Sequence, residues 1–338
     1  MSVPLAVIGV GNWGRNHVRT LSAIPEAEMA VVCDVDAAKL DWIRHQYPST
    51  RVTDTYEEAL RGVRGAIIAT PAAQHARMAL AALEMGVPVL IEKPMALTVR
   101  DAGAIVDASK ASSVPVLVGH LLLFHPAVIR LKQLIDGGEL GTPYYMYSQR
   151  VNLGQVRPDE NALWSFGPHD VSVAMYLLGG GPVRVTAHGR SYLQPGVEDV
   201  VFLTMEFASG VIVHVQMSWL DPHKERRLTV VGSRKMVVFD DMQVREKLKV
   251  YDKGVDRPPH YQSYGESLAI REGDIWIPRV SNAEPLRSEL EHFVAVVTGD
   301  VQPVADAVSG LDVVRVLTAA SASLKRGGTA VALDGRSN

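Results

Sequence analysis

The hydrophobic and polar positions of this chain form two patterns, one before and one after about residue 122. In the first part, short apolar runs alternate with stretches that carry apolar residues at helical spacing, and such runs are typical of buried parallel strands. This pattern predicts strands at 4–10, 28–33, 65–69, 87–91 and 114–119 and helices at about 13–22, 36–46, 56–61, 74–85 and 98–111. The regular alternation predicts right-handed βαβ crossovers and a doubly wound parallel sheet, which is an α/β fold.

After about residue 122, extended segments follow one another with only short turns between them. The pattern predicts strands at 144–151, 183–192, 199–207, 211–219, 227–231 and 236–240, and helices at 124–136, 168–178, 285–298 and 304–325. Successive strands joined by short turns predict an α+β domain with an open, mainly antiparallel sheet. The polar segment 252–282 is rich in proline and glycine and predicts a long loop. We therefore expect two domains, residues 1–122 and 123–338.

Composition excludes several classes of protein. The 34 basic and 37 acidic residues give a net charge of −3 without a long run of one sign, which indicates neither a nucleic-acid partner nor a polybasic membrane patch. The single cysteine, Cys33, excludes an internal disulfide and makes a cysteine-based zinc cluster improbable. The N-terminus lacks the basic segment of a signal peptide, and the apolar run 114–124 is too short to span a bilayer. We expect a cytoplasmic protein.

A glycine-rich turn follows the first predicted strand and opens the first predicted helix. The segment Gly9-Val10-Gly11-Asn12-Trp13-Gly14 has the spacing G-x-G-x-x-G. In a βαβ unit the first glycine permits a tight turn, the second lets backbone approach a pyrophosphate, and the third lets helix pack close to strand. The helix N-terminus favours the phosphate. Although glycines can simply mark a turn, this context predicts a dinucleotide site that includes Gly9, Gly11, Asn12, Trp13 and Gly14.

Further polar residues are predicted at the same edge of the sheet. Asp34 follows Gly14 by 20 residues, at the end of the second strand, where an acidic residue binds ribose hydroxyls and repels a 2′-phosphate. This favours NAD over NADP. Thr70-Pro71 and Glu92-Lys93 end the fourth and fifth predicted strands, and we expect both to face the cofactor.

Two residues are candidates for acid–base chemistry. Lys93 follows a buried strand, and an oxidised nicotinamide nearby would lower its pKa; the alternative is a solvent-exposed lysine paired with Glu92. His169 follows Pro168, which is typical of a first helical turn, where the positive helix end favours the neutral imidazole of a general base. The alternative is a histidine that caps the helix or contacts Asp170. No metal-ligand spacing and no G-x-S-x-G motif is present, so we expect no metal and no serine nucleophile.

Taken in order, these motifs resemble the Gfo/Idh/MocA family of oxidoreductases over essentially the whole chain. The motifs are the glycine turn, Ala69-Thr70-Pro71 with His75, Glu92-Lys93-Pro94 and Gly167-Pro168-His169. The resemblance implies a Rossmann domain that binds NAD(P), with His75 in the cofactor site, and a second domain whose open sheet serves oligomerisation. It also implies that Lys93 and His169 bind substrate and transfer the proton, and that the Lys93–Pro94 peptide is cis.

A second set of motifs resembles family members that oxidise the C3 hydroxyl of UDP-N-acetylglucosamine or its uronic acid. The set comprises residues 118–126, 152–154, 160–165 and 219–222. Many members of the family, such as inositol dehydrogenases, carry an aspartate four residues before the histidine, where this chain has Ser165. This difference weakens a polyol assignment and leaves proton transfer to His169 and Lys93. We expect Asn161 and Ser165 to border the substrate pocket.

A nucleotide-sugar substrate requires cations for its diphosphate. The candidates in the second domain are Arg150, Arg157, Lys224, Arg226 and Arg227. Each of them taken alone is more simply a solvated surface charge. Arg157 joins Lys93, Asn161, Ser165 and His169 in the predicted substrate site.

The sequence therefore predicts an NAD-dependent dehydrogenase of a UDP-N-acetylhexosamine or its uronic acid. A dehydrogenase of a free sugar, inositol or sugar phosphate is the alternative enzyme, and a non-catalytic, NAD-sensing regulator is the alternative of another class. An open sheet with one apolar face needs to be covered, so we expect a homodimer or homotetramer.

Overall fold

The computed structural model describes residues 2–158, 160–256 and 269–333. Its helices and strands are, in chain order, β1 Val3–Ile8, α1 Asn12–Leu21, β2 Ala27–Cys33, α2 Ala37–Gln46, β3 Arg51–Thr53, α3 Tyr56–Ala59, β4 Gly65–Ile68, α4 His75–Glu84, β5 Val89–Glu92, α5 Val99–Ser112, β6 Val116–Gly119, α6 Pro126–Asp136, β7 Pro143–Val151, α7 Ala162–Leu178, β8 Arg184–Arg190, β9 Val200–Glu206, β10 Ile212–Ser218, β11 Glu225–Gly232, β12 Met236–Asp240, β13 Leu248–Asp256, β14 Ala269–Trp276, α8 Pro285–Thr298, α9 Ala307–Lys325 and β15 Val331–Ala332.

The chain divides into two compact units. The first consists of Met1–Phe124 with Ala283–Arg315, and the second of His125–Asn282 with Val316–Asn338. The sequence analysis placed all residues after 122 in the second domain, whereas α8 belongs to the first unit. The apolar side of α8, with Leu290 and Phe293 fully buried, packs in that unit, where Phe293 lies beside Gly65 of β4. An apolar helix face must be buried, but the sequence does not say against which sheet.

The first unit is built on a six-stranded sheet of order β3-β2-β1-β4-β5-β6. All of its paired strands are parallel, which confirms the predicted doubly wound sheet. Every residue of β4, β5 and β6 is buried, as expected for strands that are covered on both faces. The analysis did not predict β3, because this strand has only three residues and the first, Arg51, is exposed.

The second unit contains a nine-stranded sheet of order β14-β13-β12-β11-β7-β10-β9-β8-β15. Only β7 and β10 pair in parallel, so the sheet is mainly antiparallel, as predicted. Along β9, Val201, Leu203 and Met205 are fully buried, while Phe202 is 40% exposed. Alternation of this kind means that one face of the sheet is covered and the other is open. Helix α7 packs against β9 and β10.

Two predictions for the second unit were wrong. The helix predicted from residue 168 begins at Ala162, so that Pro168 lies inside α7. The loop predicted at 252–282 contains the end of β13 and the whole of β14, which pair with each other, and its central residues, 257–268, lie outside the described residues. The strand β14 is exposed on both faces and carries charged side chains, so pairing with β13 and not side-chain burial holds it in place. Main-chain pairing of this kind leaves no periodic apolar signal.

One helix in the described part of the chain, Ala307–Lys325, is long and apolar enough to cross a bilayer by length and composition alone. More than half of its most apolar part is buried inside the molecule. The core helix of a soluble protein has these same properties. The cytoplasmic location stays a prediction.

Candidate active site

The glycine turn after β1 has the geometry that a bound dinucleotide requires. Gly9 has a φ of +97°, and a Cβ at this position would lie 2.7 Å from the Ala69 carbonyl oxygen. At Gly14 a Cβ would overlap the carbonyl oxygen of Gly9, so only glycine lets α1 start this close to β1. A Cβ at Gly11, in contrast, would meet nothing within 4 Å. The protein packs closely against Gly9 and Gly14, whereas the space beside Gly11 is open to a ligand.

The N-terminus of α1 carries no side chain that competes with a phosphate. Gly11 is the N-cap residue and makes no side-chain cap, and the first turn contains no acidic residue. Its N–H groups and the positive end of the helix therefore suit an anion. Asn12 and Trp13 are both exposed beside the turn, and the Trp13 ring stands edge-on to buried His17. The residues at this end of α1 fit the pyrophosphate of NAD.

Asp34 lies at the carboxyl end of β2, as predicted for the ribose-binding acid. Its Oδ2 accepts a hydrogen bond from the Val10 N–H at 2.6 Å, and its Oδ1 accepts one from the Asp36 N–H at 2.9 Å. The Lys39 ammonium lies 3.3 Å from both oxygens. These contacts hold the carboxylate against the glycine turn, at the end of β2 where a ribose-binding acid is expected. The sequence analysis missed Lys39 because it lies on α2, five residues after Asp34.

His75 holds together the loops that follow β4 and β5. Its Nδ1 lies 2.9 Å from the Pro94 carbonyl oxygen and its Nε2 lies 2.8 Å from the Thr70 carbonyl oxygen. Burial lowers the pKa of His75, and the two carbonyl groups oppose this effect. The sequence analysis placed His75 among the cofactor contacts, but both ring nitrogens are occupied by backbone. In the structure His75 therefore positions Thr70 and the Lys93–Pro94 peptide, which is cis.

Thr70 and Pro71 lie just after β4, at the same edge of the sheet as the glycine turn. Thr70 is half-buried, and its hydroxyl donates to the Met78 sulfur at 3.6 Å. Pro71 is exposed. Ligands of open α/β sheets bind outside the carboxyl ends of the strands, so contact of these two residues with the cofactor stays a prediction.

Glu92 points into the protein. Its Oε1 lies 2.6 Å from His17 Nε2, and its Oε2 accepts a hydrogen bond from the Lys93 N–H at 3.1 Å. Burial and the charge of Glu92 raise the pKa of Glu289, on α8, well above its ordinary value. Glu92 was predicted to contact the cofactor, whereas both of its oxygens are used by the protein. The sequence could have indicated that Glu92 faces other buried polar residues, because His17 and Glu289 both occupy positions on the apolar side of their helices.

Lys93 follows β5 directly and is partly exposed. The backbone on both sides of Lys93 is held in place. The Lys93 N–H donates a hydrogen bond to the Glu92 carboxylate, and the Pro94 carbonyl oxygen contacts the His75 ring. The strand order places the ends of β2, β1, β4 and β5 next to one another. The first unit thus brings Asp34, Gly9, Thr70 and Lys93 to one edge of the sheet, in that order.

In the second unit, His169 lies about two turns inside α7 and not in its first turn. The predicted effect of the helix dipole on its imidazole therefore does not apply, because that effect is confined to the terminal turn. Ser165 precedes His169 by four residues and lies on the same side of the helix. Ser165 is buried and His169 is partly exposed. The continuous helix places this pair one above the other.

Asp170, the residue after His169, anchors α7 to β7. Its carboxylate accepts hydrogen bonds from the Ser148 hydroxyl at 2.6 Å and from Arg150 Nε at 2.5 Å. Ser148 and Arg150 are two residues apart on β7 and lie on one face of the sheet. The sequence analysis considered Asp170 only as a partner of His169. Instead, Asp170 holds the helix that carries His169.

The remaining predicted substrate residues have structural partners. Asn161 caps α7 by accepting a hydrogen bond from the Trp164 N–H at 3.1 Å, and its amide donates to Glu198 at 2.6 Å. Arg157 is exposed and forms an ion pair with Glu160 at 2.8 Å. These contacts account for both residues without a ligand. Of the predicted substrate residues in this unit, Ser165 and His169 are the two that share one helix face.

The fold and this sheet edge define the class of a dinucleotide-dependent oxidoreductase. Comparison with known families agrees: residues 3–120 match the Gfo/Idh/MocA oxidoreductase family with an NAD-binding Rossmann fold, and residues 128–238 match the C-terminal domain of the same family. The chain belongs to this family. It is an NAD-dependent dehydrogenase that acts on sugar-type alcohols.

Individual relatives differ in the substrates that they are named for. The chain is 33% identical to inositol 2-dehydrogenase 2 of Saccharopolyspora erythraea, over 64% of this chain and 67% of the relative. It is 25% identical to UDP-N-acetylglucosamine 3-dehydrogenase of Acidithiobacillus ferrooxidans, over 93% and 94%. The crystal structure of GenD2 from gentamicin A biosynthesis, in complex with NAD, aligns with a TM-score of 0.81 and 25% identity over 98% and 97% of the two chains.

Proposed function

We propose that this protein oxidises a secondary hydroxyl group of a nucleotide sugar, the C3 hydroxyl of a UDP-N-acetylhexosamine or of its uronic acid. NAD, when bound, supplies the acceptor for the hydride that leaves the same carbon. The observation that carries the nucleotide-sugar part of the proposal is an unbalanced arginine beside the helix that bears His169.

Two side chains of this protein transfer the proton of the substrate hydroxyl. The imidazole of His169, assisted by Lys93, removes the hydroxyl proton as the carbon is oxidised to a ketone. Ser165, one helical turn before His169, orients the hydroxyl. The anchoring of α7 through Asp170 and the holding of the Lys93 backbone by Glu92 and His75 support this assignment, because an acid–base pair needs a rigid frame.

Arg226 is the unbalanced arginine. It lies on β11 directly opposite Arg150 on β7, so the two side chains occupy the same face of the sheet. Arg150 is bonded to Asp170. Partial burial and the charge of Arg150 lower the pKa of Arg226. Arg226 itself forms no ion pair with any residue in the described ranges.

The two carboxylates near Arg226, those of Asp170 and Asp241, both pair with other residues. Asp170 is used by Arg150, and Asp241 lies 2.9 Å from the Lys247 ammonium and 3.4 Å from His125. Although burial opposes it, these two partners hold the pKa of Asp241 well below its usual range. An uncompensated arginine on this face favours a substrate that carries its own anion, and the diphosphate of a nucleotide sugar is such an anion.

Other cations of the predicted set are less suited to this role. Arg157 is paired with Glu160, and Arg227 lies 3.5 Å from Asp240. Lys224 and Arg226 are both exposed, but Arg226 lies directly opposite Arg150, which is bonded to the Asp170 carboxylate of α7. Arg226 is therefore the member of the set to test first.

The test is a panel of UDP-sugars and free polyols incubated with NAD, read by the absorbance of the reduced cofactor, together with calorimetric titration of UDP alone. We expect turnover of a UDP-N-acetylhexosamine and measurable binding of UDP. Arg226→Gln should raise KM for the UDP-sugar about tenfold, since it removes a charge-assisted hydrogen bond. Arg227→Gln is the matched control, because this neighbour points to the other face and has a partner. Absence of UDP binding at millimolar concentration contradicts the nucleotide-sugar assignment.

A second candidate is the oxidation of inositol or another free polyol. The 33% identity to an inositol 2-dehydrogenase favours it. Turnover of myo-inositol by a protein that does not bind UDP would select this candidate.

A further inference from the structure

His120 is the first residue after β6 and is almost completely buried, with 2% of its surface exposed. Neither of its ring nitrogens has a hydrogen-bond partner in the part of the chain that the structure describes. Its backbone, in contrast, is satisfied, since its N–H donates to the Val118 carbonyl and its own carbonyl accepts from the Leu123 N–H. A buried polar group without a partner destabilises the folded state, so such a group calls for an explanation.

Other buried histidines of the same unit show what a purely structural role looks like. Both nitrogens of His75 face backbone carbonyl groups, and Nε2 of His17 is bonded to Glu92. No such framework surrounds the imidazole of His120 among the described residues. Two buried polar atoms without partners bring no stability to the protein alone.

The position of His120 indicates what it serves. Glu92 of β5 pairs in register with Gly119 of β6, so the next residues along the two strands are Lys93 and His120. The strand order then places His120 one strand beyond Lys93 and on the side away from the glycine turn and Asp34. The cofactor-binding residues lie on one side of Lys93 at this edge, and His120 lies on the other.

The charge state of His120 restricts its chemistry. Burial, together with the nearby Lys93 ammonium, lowers the pKa of His120 to about 4, so the imidazole is neutral at pH 7. A group this weakly basic is a poor proton acceptor, but it offers one N–H donor and one nitrogen acceptor. A hydroxyl group, which both donates and accepts, is its natural counterpart. The described residues include no group of three side chains that could hold a metal ion, so a role as a metal ligand has no support.

We propose that His120 is a substrate-binding residue whose imidazole hydrogen-bonds a second hydroxyl group of the substrate, next to the carbon that is oxidised. The inference rests on the proposed dehydrogenase site, in that Lys93 lies at the reacting hydroxyl. It does not depend on whether the substrate is a nucleotide sugar or a polyol, because both carry adjacent hydroxyl groups.

The test compares His120→Leu, which removes both polar atoms, with His120→Asn, which keeps a donor and an acceptor. The probes are UDP-N-acetylglucosamine and myo-inositol for turnover, NAD for binding, and thermal melting of the protein without ligand. For whichever probe the wild type oxidises, His120→Leu should lower kcat/KM about tenfold, mainly through KM. His120→Asn should recover most of that loss. His120→Leu should leave the Kd of NAD within twofold and should raise Tm.

His292→Leu is the matched control, because Nε2 of this half-buried histidine accepts a hydrogen bond from the Val304 N–H at 3.1 Å. It should lower Tm and leave kcat/KM unchanged. The proposal is overturned if His120→Leu leaves kcat/KM unchanged, if it lowers Tm as a structural or water-bound histidine would, or if it weakens NAD binding tenfold. The probe panel also includes the uronic acid of UDP-N-acetylglucosamine and the other UDP-sugars and polyols of the test above. A wild type that oxidises no member of this panel overturns the proposed function instead, and is recognised before any variant is measured.

Discussion

The two sheets of this protein depart from the usual distribution of residues in opposite ways. At the carboxyl edge of the six-stranded sheet, polar side chains are buried: Asp34, His75, Glu92 and His120 are all less than 9% exposed. On the open face of the nine-stranded sheet, large apolar side chains are exposed, and Tyr145, Tyr147, Phe202 and Ile212 are each at least 40% exposed.

The difference indicates two kinds of site. Burial of a polar group is unfavourable unless a partner satisfies it; Asp34, His75 and Glu92 have protein partners, whereas His120 has none among the described residues. A cluster of such groups at the carboxyl edge of a parallel sheet is typical of a site for small polar ligands. Exposure of apolar side chains leaves surface in contact with water, so a patch of them marks a place where another protein surface binds. We therefore expect the first region to serve chemistry and the second to serve assembly. Four experiments test this distinction.

The largest effect is expected at the residues that carry the proton. Lys93→Ala and His169→Ala should each reduce turnover by about 10²-fold or more, because each removes a group of the proposed proton transfer. The Kd of NAD should change much less. Lys110→Ala, at a lysine near the end of α5, is the control. Undiminished turnover in both variants would end the assignment of these residues.

The next largest effect is expected in the glycine turn. Gly14→Ala should destabilise the protein without cofactor by about 2 kcal/mol or more, because the new Cβ overlaps the Gly9 carbonyl. Gly11→Ala should leave Tm nearly unchanged, since nothing lies within 4 Å of the new Cβ, yet should weaken NAD binding at least tenfold. Thermal melting and NAD titration separate the two effects. Wild-type NAD affinity in Gly11→Ala would show that this side of the turn does not receive the cofactor.

A smaller effect is expected on the open face of the nine-stranded sheet. We expect the protein to form a homodimer or homotetramer through this face, and Ile212→Asp should weaken that association about tenfold or more. Sedimentation velocity at several concentrations measures the shift towards monomer. Val301→Asp, at a similarly exposed apolar residue of the first unit, should have no such effect. A wild type that is monomeric at all concentrations contradicts the expectation.

The smallest effect is expected from Glu289, the buried neighbour of Glu92. Its raised pKa means that the folded protein keeps a proton that the unfolded chain has released above its ordinary pKa of 4.5. Stability should therefore fall as pH rises above about 4.5, with a contribution of at most about 1.4 kcal/mol per pH unit from one proton. Glu289→Gln removes this contribution and should flatten the dependence of the unfolding free energy on pH.

The control for this measurement is Glu291→Gln, since Glu291 is exposed and paired with Arg287. Chemical unfolding of the three proteins between pH 5 and pH 9 provides the comparison. Identical pH dependence in the wild type and Glu289→Gln would mean that Glu289 is not held protonated.

Much of the first unit was predictable because its signals are local. Apolar runs and helical spacing identified five of the six strands of the parallel sheet, and the positions of Gly9, Gly11 and Gly14 indicated the dinucleotide turn. Strand order at a parallel edge then follows from topology, so Asp34 and Lys93 were expected at one edge. In the second unit the polar strand β14 was not predicted, because its stability comes from pairing with β13 and not from a buried face.

The sequence did not determine the direction in which the polar side chains of the site point. His75 and Glu92 were expected to face the cofactor, yet the two ring nitrogens of His75 face backbone carbonyl oxygens, and Glu92 is bonded to His17 and the Lys93 backbone. His169 was expected in a first helical turn, but Asn161 caps the helix a full two turns earlier. The partners of these side chains lie between one and 75 residues away along the chain, so a pattern within one segment does not identify them.

The period of each segment, the tight turn that requires glycine and the residue types at the edge of the sheet all follow from local sequence. These are consequences of backbone sterics and of hydrophobic spacing, which act over a few residues. Three other features depend on the folded chain: α8 belongs to the first unit, and among the described residues Arg226 has no ion pair and the buried His120 ring has no hydrogen-bond partner. Burial and charge balance depend on every chain segment that packs around a group, so they exist only once the chain has folded.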